Sequence, residues 1–505
     1  LDRYDTLLRQ PRSPGGRPAV RLEEAAVLPA LRLAWKARQY ERLIGWARQS
    51  PRPSRDRGRE VVGEHALLIA RAFRNSGQPD SMASWYARAA ERGTASQRAD
   101  AYWEWAREME SLRRFQMADT LYSRFLRGQP GDRGHEARIR QGLDSYARGD
   151  LERARRILHG VAGGSAGDAP TEIRASAAFW LYRTELARGD HGAARAALSQ
   201  AAGFGAGGGY YGWRGRTALA AAAEPGGPGA LEPAGYWSWA AGSLRRAAPS
   251  LEGSSREVTP PEPGRVDNAA LKGNGTPEGE APWEPGEEVA YLRDRLQLFR
   301  LHGRTSWAED VQKALLARSE IGEGRVRVGR LGRLGLPDLA AREAIRLKLS
   351  GTPLRYPTPF RGPVAAAAAR LRLPTSALWA VMRRESFFES SALSKAGAVG
   401  LMQLMEDTAR RTAERHALPG APLSSPLVNL QLGAAHLRDL LDEEPEAWPV
   451  VLAAYNAGMH NARRWKREGE DQDFYIEMIG YRETRDYVKK VLEAMWLYED
   501  LLRTG

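Results

Sequence analysis

Residues 377–405, ALWAVMRRESFFESSALSKAGAVGLMQLM, are the most informative stretch of this 505-residue chain. Four side chains in its first part recur at i, i+3, i+4 and i+7, which predicts a helix that carries all four on one face. They are Leu378, Val381, Met382 and Glu385. Three of them are apolar, and a carboxylate among apolar side chains is costly to bury unless it is paired or protonated. Burial raises a carboxyl pKa, so Glu385 is a candidate general acid.

An ordinary structural role is the main alternative for Glu385. Arg383 and Arg384 precede it, and a helical glutamate beside arginines usually belongs to a solvated ion-pair face. Neither arginine shares the apolar face, which weakens this alternative. A loop rich in Ser, Gly and Ala is predicted after the helix, and a second helix is predicted to begin at Gly400.

Short blocks on both sides of Glu385 follow one another in a characteristic order. They are YPTPF at 356–360, RRES at 383–386, GAVGLMQLM at 397–405, NLQLGAAHL at 429–437, LAAYNAG at 452–458 and YRETRDYVKKVL at 481–492. Together they resemble the soluble, periplasmic lytic transglycosylases, bacterial enzymes that cleave the glycan strands of peptidoglycan. The resemblance covers roughly residues 355–500, and the ordered blocks make it specific, whereas GLMQ alone would be a weak signal.

The resemblance implies one catalytic acid, where ordinary glycosidases use two carboxylates. Glu385 would protonate the oxygen that links N-acetylmuramic acid (MurNAc) to N-acetylglucosamine (GlcNAc), then act as a base on the muramoyl C6 hydroxyl. That hydroxyl would attack C1 and close a 1,6-anhydro ring without water. Neither a metal ion nor another cofactor is expected. Roles in substrate binding are implied for Ser394, Gln403, Met405, Tyr455, Asn456 and Glu483.

The fold class that we expect is all-α, with a TPR-like superhelix of helical repeats before a lysozyme-like helical catalytic domain. Four segments of the N-terminal half look like copies of one helical hairpin. They are GQPDSMASWYARAA, RRFQMADTLYSRFL, RGDLERARRILHGV and RGDHGAARAALSQA. Their aligned alanines, at positions 83, 118, 154 and 194, are 35, 36 and 40 residues apart.

The chain is predicted to divide into four segments. Residues 1–246 would form the helical-repeat domain, and residues 247–287 a flexible linker or loop, because Pro, Gly, Glu and Ser dominate there. Residues 288–350 would complete the superhelix, and residues 351–505 would form the catalytic domain. GGGYYGWRG, at 207–215, resembles an element in the helical superstructure of the same family.

Composition limits the partners. The net charge of +13 suits polyanions, membranes or an acidic polymer such as peptidoglycan. Nucleic acid is not expected, because no basic block interleaves with aromatics. The absence of cysteine excludes disulfides and thiolate catalysis, and no apolar run reaches the roughly 18 residues of a membrane span. We expect an exported, periplasmic protein whose signal is not in this chain. Its partners would be peptidoglycan strands and, through the repeats, proteins of cell-wall synthesis or division.

Two other functions remain open from the sequence. A hydrolase of the goose-lysozyme kind would share the fold and the glutamate, but would need a second carboxylate across the groove. Asp439 and Asp442 are the nearby acids in the middle of the domain, and both are predicted on a polar helix face. The second alternative is a helical-repeat adaptor that merely binds glycan. Such a protein would not need Glu385, Gln403 or the AYNAG block, and all three are intact in this chain.

Overall fold

The computed structural model describes residues 24–49, 58–128, 131, 133–164, 169–223, 284–301, 305–349, 355–418, 422–445 and 447–504. These described residues form 23 α-helices and no strand, so the predicted all-α fold is confirmed. The chain divides into two compact units, Leu1–Ala201 and Ala202–Gly505. Most of the predicted linker, residues 247–283, lies outside the described residues.

Ten helices account for most of the described part of the first unit. They are α1 (Glu24–Lys36), α2 (Tyr40–Gln49), α3 (Gly58–Asn75), α4 (Pro79–Arg92), α5 (Ala95–Ser111), α6 (Phe115–Leu126), α7 (Arg133–Ala147), α8 (Leu151–Ala162), α9 (Thr171–Ala187) and α10 (His191–Gly203).

The predicted repeats are pairs of helices. The four similar segments form α4, α6, α8 and α10, and each follows a longer helix, α3, α5, α7 and α9. Ion pairs link successive pairs at nearly constant sequence separation. They join Arg71 to Glu104 (2.5 Å), Arg133 to Asp100 (2.8 Å), Arg153 to Asp119 (2.8 Å) and Arg188 to Glu152 (2.7 Å). This regularity confirms the interpretation of stacked helical hairpins.

The second unit contains the remaining helices of the described chain. They are α11 (Gly209–Ala223), α12 (Glu287–Leu301), α13 (Thr305–Leu316), α14 (Gly324–Arg333), α15 (Pro337–Arg346), α16 (Arg361–Leu371), α17 (Thr375–Glu385), α18 (Glu406–Arg415), α19 (Pro426–Glu443), α20 (Trp448–Ala457), α21 (Met459–Trp465), α22 (Gln472–Met478) and α23 (Arg482–Thr504).

Helix α11, which carries the YYG block, packs against the C-terminal helices α22 and α23. Arg214 donates two hydrogen bonds, of 3.0 and 2.9 Å, to the carboxylate of Asp473, and both side chains are buried. Glu477 accepts hydrogen bonds from Tyr211 and from Lys489, the latter at 2.6 Å. Residues near 210 thus belong to the same compact unit as the C-terminal helices. The predicted boundaries at residues 246, 287 and 350 stay predictions.

Helices α12 to α15 share an apolar core of their own. Arg300 of α12 donates to the carboxylate of Asp338 of α15 at 2.8 Å, and only 10 % and 2 % of these side chains are exposed. A guanidinium–carboxylate pair buried to this degree fixes both side chains. The pair therefore holds α15 in place. Arg342, an exposed arginine, lies on the same helix.

Helix α17 ends at Glu385, and the three apolar side chains predicted to share its face are buried. It packs directly against α23, the last helix. The YPTPF block before it is fastened by hydrogen bonds from Trp379 to the carbonyl of Pro359 (2.9 Å) and from Tyr498 to that of Pro357 (3.1 Å). The predicted positions of these elements are thus confirmed.

The prediction that a helix begins at Gly400 is wrong. Residues 400–403 form a tight turn, and α18 begins only at Glu406. Gly400 and Gln403 have φ angles of 81° and 47°, which a right-handed helix excludes. A Cβ at position 400 would lie 2.3 Å from the side-chain nitrogen of Asn429. Only glycine fits this close approach, and the turn replaces the first helical residues.

Candidate active site

The Glu385 carboxyl lies at the end of α17, where the chain turns sharply. Ser386 follows and donates a hydrogen bond of 2.8 Å to the carbonyl of Leu401. Phe387 and Phe388 then adopt left-handed conformations, with φ of 57° and 68°, each of which costs about 1–3 kcal/mol. Phe388 is buried and offsets part of this cost. The strained turn stops the helix directly after Glu385 and leaves its carboxyl at the edge of the apolar core.

Burial raises the pKa of Glu385 to about 7. The hydroxyl of Tyr487 and the charge of Arg384 favour the carboxylate and oppose this increase, whereas the negative charge of Glu483 adds to it. A carboxyl with a pKa near 7 is about half protonated at neutral pH. It can therefore donate a proton in one step and accept one in the next.

Two tyrosines lie close to Glu385, of which Tyr487 is buried and Tyr455 is partly buried. The pKa of Tyr487 is raised well above its usual value, first by burial and then by the Glu385 charge, and the same two causes raise that of Tyr455. The Tyr455 hydroxyl donates to the carbonyl of Met402 at 2.8 Å. The Tyr487 hydroxyl has no hydrogen bond of normal length among the described residues. It is thus available to the Glu385 carboxyl, on whose pKa it acts.

A cleft of about 330 Å³ opens in front of Glu385. This volume is at the lower end of the range of about 300–1,000 Å³ that is typical of sites for small ligands. Its lining is Arg342, Arg384, Glu385, Ser386, Phe387, Glu389, Ala392, Leu393 and Gln403. The cleft contains a second carboxylate, that of Glu389, which the sequence analysis did not single out. Of the predicted site residues in the described chain, Glu385 and Gln403 line it.

Gln403 lines the cleft and ends the turn at residues 400–403, which is organised by Asn429 of α19. Its side-chain amide donates to the carbonyl of Val399 at 2.8 Å and its side-chain oxygen accepts from the backbone of Met402 at 2.8 Å. The Gln403 amide donates to the carbonyls of Ala392 and Gly400, each at 3.0 Å. Its side-chain oxygen has no such bond among the described contacts and can face a ligand.

The structure places Ser394 and Met405 near the cleft but not in its lining. The hydroxyl of Ser394 accepts a hydrogen bond of 2.9 Å from the backbone of Ala398 and closes the loop after the strained turn. Met405 precedes α18 and is 44 % exposed. Ser394 therefore shapes the loop, whereas Met405 offers an accessible apolar surface.

Asn456 and Glu483 lie on the neighbouring helices α20 and α23. The side-chain oxygen of Asn456 accepts a hydrogen bond of 2.7 Å from the hydroxyl of Thr484. Glu483 is exposed and its charge reaches Glu385. These contacts bring the AYNAG and ETR blocks together beside the catalytic candidate.

Asp439 and Asp442, the two acids considered for the hydrolase alternative, do not line the cleft. Both are paired with neighbouring side chains. Asp439 accepts from His416 at 2.8 Å and lies 3.0 Å from Arg415. Asp442 pairs with Arg438 at 2.8 Å. Among the described residues, no group of three or more His, Cys, Asp or Glu side chains is placed to hold a metal ion.

Parts of this chain are similar to known proteins. A sequence model described as the transglycosylase SLT domain matches residues 362–478. This part of the chain is similar to SLT domains. A putative soluble lytic murein transglycosylase of Haemophilus influenzae is 35% identical over 154 residues, which are 29% of this chain and 26% of that protein. The soluble lytic murein transglycosylase of Escherichia coli K12 is 31% identical over 145 residues, 27% of this chain and 22% of that protein.

These matches span about a quarter of the length of either relative. A longer likeness is to the X-ray structure of an inactive mutant of the lytic transglycosylase Slt from Pseudomonas aeruginosa. It has a TM-score of 0.58 at 21% identity and covers 95% of this chain and 74% of that one. At this identity the likeness concerns the fold. It confirms the predicted class, helical repeats followed by a lysozyme-like helical domain.

Proposed function

We propose that this protein is a lytic transglycosylase that cleaves the MurNAc-β-1,4-GlcNAc bond of peptidoglycan without water. The observation that carries the proposal is the carboxyl of Glu385, which burial brings to a pKa of about 7 at a cleft of the SLT domain. The H. influenzae and E. coli relatives are named as soluble lytic murein transglycosylases, which supports the same reaction.

In the first step, protonated Glu385 donates to the glycosidic oxygen while the bond from C1 to that oxygen breaks. General acid catalysis of this kind contributes about 10²–10⁴-fold to a rate. The Tyr487 hydroxyl is the group best placed to stabilise the carboxylate that this step leaves, because it favours the charged form of Glu385.

In the second step, the Glu385 carboxylate takes the proton of the muramoyl C6 hydroxyl, whose oxygen bonds to C1. The new bond closes a 1,6-anhydro ring and returns Glu385 to its protonated form. The attacking hydroxyl belongs to the reacting sugar, and well-oriented intramolecular attack lowers a barrier by up to about 7–11 kcal/mol. Water at the same carbon lacks this advantage.

The remaining predicted site residues are proposed to shape or contact the glycan groove. Gln403 presents its side-chain oxygen to the cleft, and Met405 and Glu483 are accessible enough to meet a sugar. Tyr455 and Asn456 have protein partners for their side chains, so we assign them to holding the walls together.

A hydrolase is the second candidate, because Glu389 supplies a second carboxylate to the cleft. Two arginines, Arg300 and Arg342, each lie 3.9 Å from it. An inverting hydrolase needs a second carboxylate of this kind as the base that activates water. The transglycosylase remains the better supported function, because the relatives share it.

Analysis of the products separates the two reactions. Purified sacculi digested by the protein should yield muramoyl ends that are lighter by one water than reducing ends, as measured by mass spectrometry. Glu385→Gln should remain folded by circular dichroism and lose about 10²–10⁴-fold in turnover. Reducing muramoyl ends as the main product would establish the hydrolase.

We propose that peptidoglycan strands are the substrate and that the protein acts in the periplasm, where this polymer lies. No described helix is both long and apolar enough to cross a membrane. The helical repeats are proposed to bind proteins of cell-wall synthesis or division. We retain residues 351–505 as the proposed catalytic segment, 1–246 as the repeat segment, and 247–287 and 288–350 as the segments between them.

A further inference from the structure

Arg342 lines the same cleft as Glu385 but comes from a different part of the second unit. It lies on α15, before the SLT match at residues 362–478. Its side chain is 56 % exposed, whereas the Arg300–Asp338 pair beneath it is buried. A fixed helix thus delivers a flexible, accessible cation to the cleft.

Phe387 provides the surface on which Arg342 rests. The guanidinium carbon of Arg342 lies 5.1 Å from the centre of the Phe387 ring, and that of Arg383 lies 4.6 Å from it. The face of an aromatic ring attracts a guanidinium group, so Phe387 helps to hold Arg342 near the cleft.

The guanidinium group of Arg342 can bind a further anion. Its ion pair with Glu389 is 3.9 Å long, and Glu389 lies at the same distance from Arg300. Arg384 also lines the cleft and is exposed. A guanidinium stacked on a ring keeps its N–H edge free, and that edge matches the two oxygens of a carboxylate.

We propose that Arg342, with Arg384, binds a carboxylate on the lactyl substituent of the muramoyl residue, and so selects charged glycan strands. The inference rests on the proposed function for the identity of the glycan. Two sources carry this chemistry, a peptide stem attached to the lactyl group and the free lactyl carboxylate that remains when the stem is removed. Helices outside the SLT domain thereby set substrate preference at the catalytic glutamate.

The test measures binding without turnover, by titration calorimetry in the Glu385→Gln background. The ligands are GlcNAc–MurNAc tetrasaccharides with peptide stems, with free lactyl carboxylates, or with the lactyl groups converted to neutral methylamides. Arg342→Gln should weaken binding of at least one carboxylate ligand by about tenfold, the usual scale for a hydrogen bond to a charged group. It should leave the methylamide within about twofold.

Two further variants sharpen the result. Arg346→Gln removes an arginine from the same helix that is paired with Glu343 at 2.6 Å, and it should bind all ligands as the parent does. Arg342→Lys keeps the charge but loses the planar edge and should recover part of the affinity. The difference between charged and neutral ligands should shrink as salt is added.

Loss confined to the peptide ligand identifies the stem as the source of the carboxylate, and loss confined to the free lactyl ligand identifies the lactyl group. Unchanged binding of both charged ligands, or an equal loss for the methylamide, overturns the inference. The product analysis of the wild-type protein is independent of these titrations. Reducing ends with intact charge discrimination would reject the transglycosylase reaction and leave the carboxylate site standing.

Discussion

The buried hydroxyl of Tyr487 lowers the pKa of Glu385, while burial raises the same pKa to about 7. The two residues come from α23 and α17, which pack against each other. The two opposing effects on the pKa leave the Glu385 carboxyl about half protonated at neutral pH. A single group in this state can serve both proton transfers of a ring-closing cleavage.

The rate of cleavage should depend on a protonated Glu385. We expect kcat/KM to be constant below pH 7 and to fall about tenfold per pH unit well above it, because the carboxylate cannot donate a proton. Initial rates on soluble glycan strands at constant ionic strength measure this profile. A rate that rises through pH 7 would contradict the role of general acid.

Tyr487→Phe should move that profile. Loss of the hydroxyl removes a group that lowers the Glu385 pKa, so the fall in kcat/KM should shift to higher pH. The plateau should drop by about tenfold, the scale of one lost hydrogen bond to a charged group. Tyr498→Phe is the matched control on the same helix, because its hydroxyl donates to Pro357 instead. A lower plateau with an unmoved inflection would indicate a purely structural tyrosine.

Glu389→Gln separates the two candidate reactions at the residue level. If the protein is a transglycosylase, this change should keep turnover within about fivefold, because it removes only partly exposed ion pairs. The anhydro product should persist, as measured by mass spectrometry. A loss as large as that of Glu385→Gln would make Glu389 the base of a hydrolase.

Glu385→Gln should stabilise the folded protein at alkaline pH. The folded-state pKa of about 7 exceeds the usual 4.5, so the contribution of Glu385 to stability is fully present below pH 4.5 and is lost as the pH rises through 7. Glutamine does not ionise, and its advantage should grow over this range to at most about 3 kcal/mol. Denaturant unfolding at pH 5 and pH 8 measures the difference. An advantage that is equal at both pH values would place the carboxyl in water.

Arg214→Met should destabilise the second unit by about 3–5 kcal/mol, because Asp473 would remain buried without its guanidinium partner. Hydrogen exchange should increase in α22 and α23, whereas Arg216→Met on the same helix should leave it unchanged. Replacing Asp473 by Leu as well should recover much of the loss. If the double variant is no more stable than Arg214→Met, the pair is not the cause.

Local sequence patterns were sufficient to predict the helices whose apolar side chains face a single core. Helix α17 and its buried stripe follow from apolar spacing, and the repeat helices follow from recurring small residues. The turn at Gly400 does not, because its hydrogen bonds come from Asn429 of another helix. Tyr487 and Arg342 were also not singled out, since their nearness to Glu385 arises only when distant helices pack.

The packing of α11 on α22 and α23 bears on how such domains can be exchanged. A graft of residues 362–478 alone into a foreign scaffold would carry Asp473 and Glu477 without Arg214, Tyr211 and Lys489. Both carboxylates would then lose these partners together with the helices that cover them. A functional chimera must therefore transfer α11 and α23 together with the SLT match, although more than 130 residues separate α11 from that match.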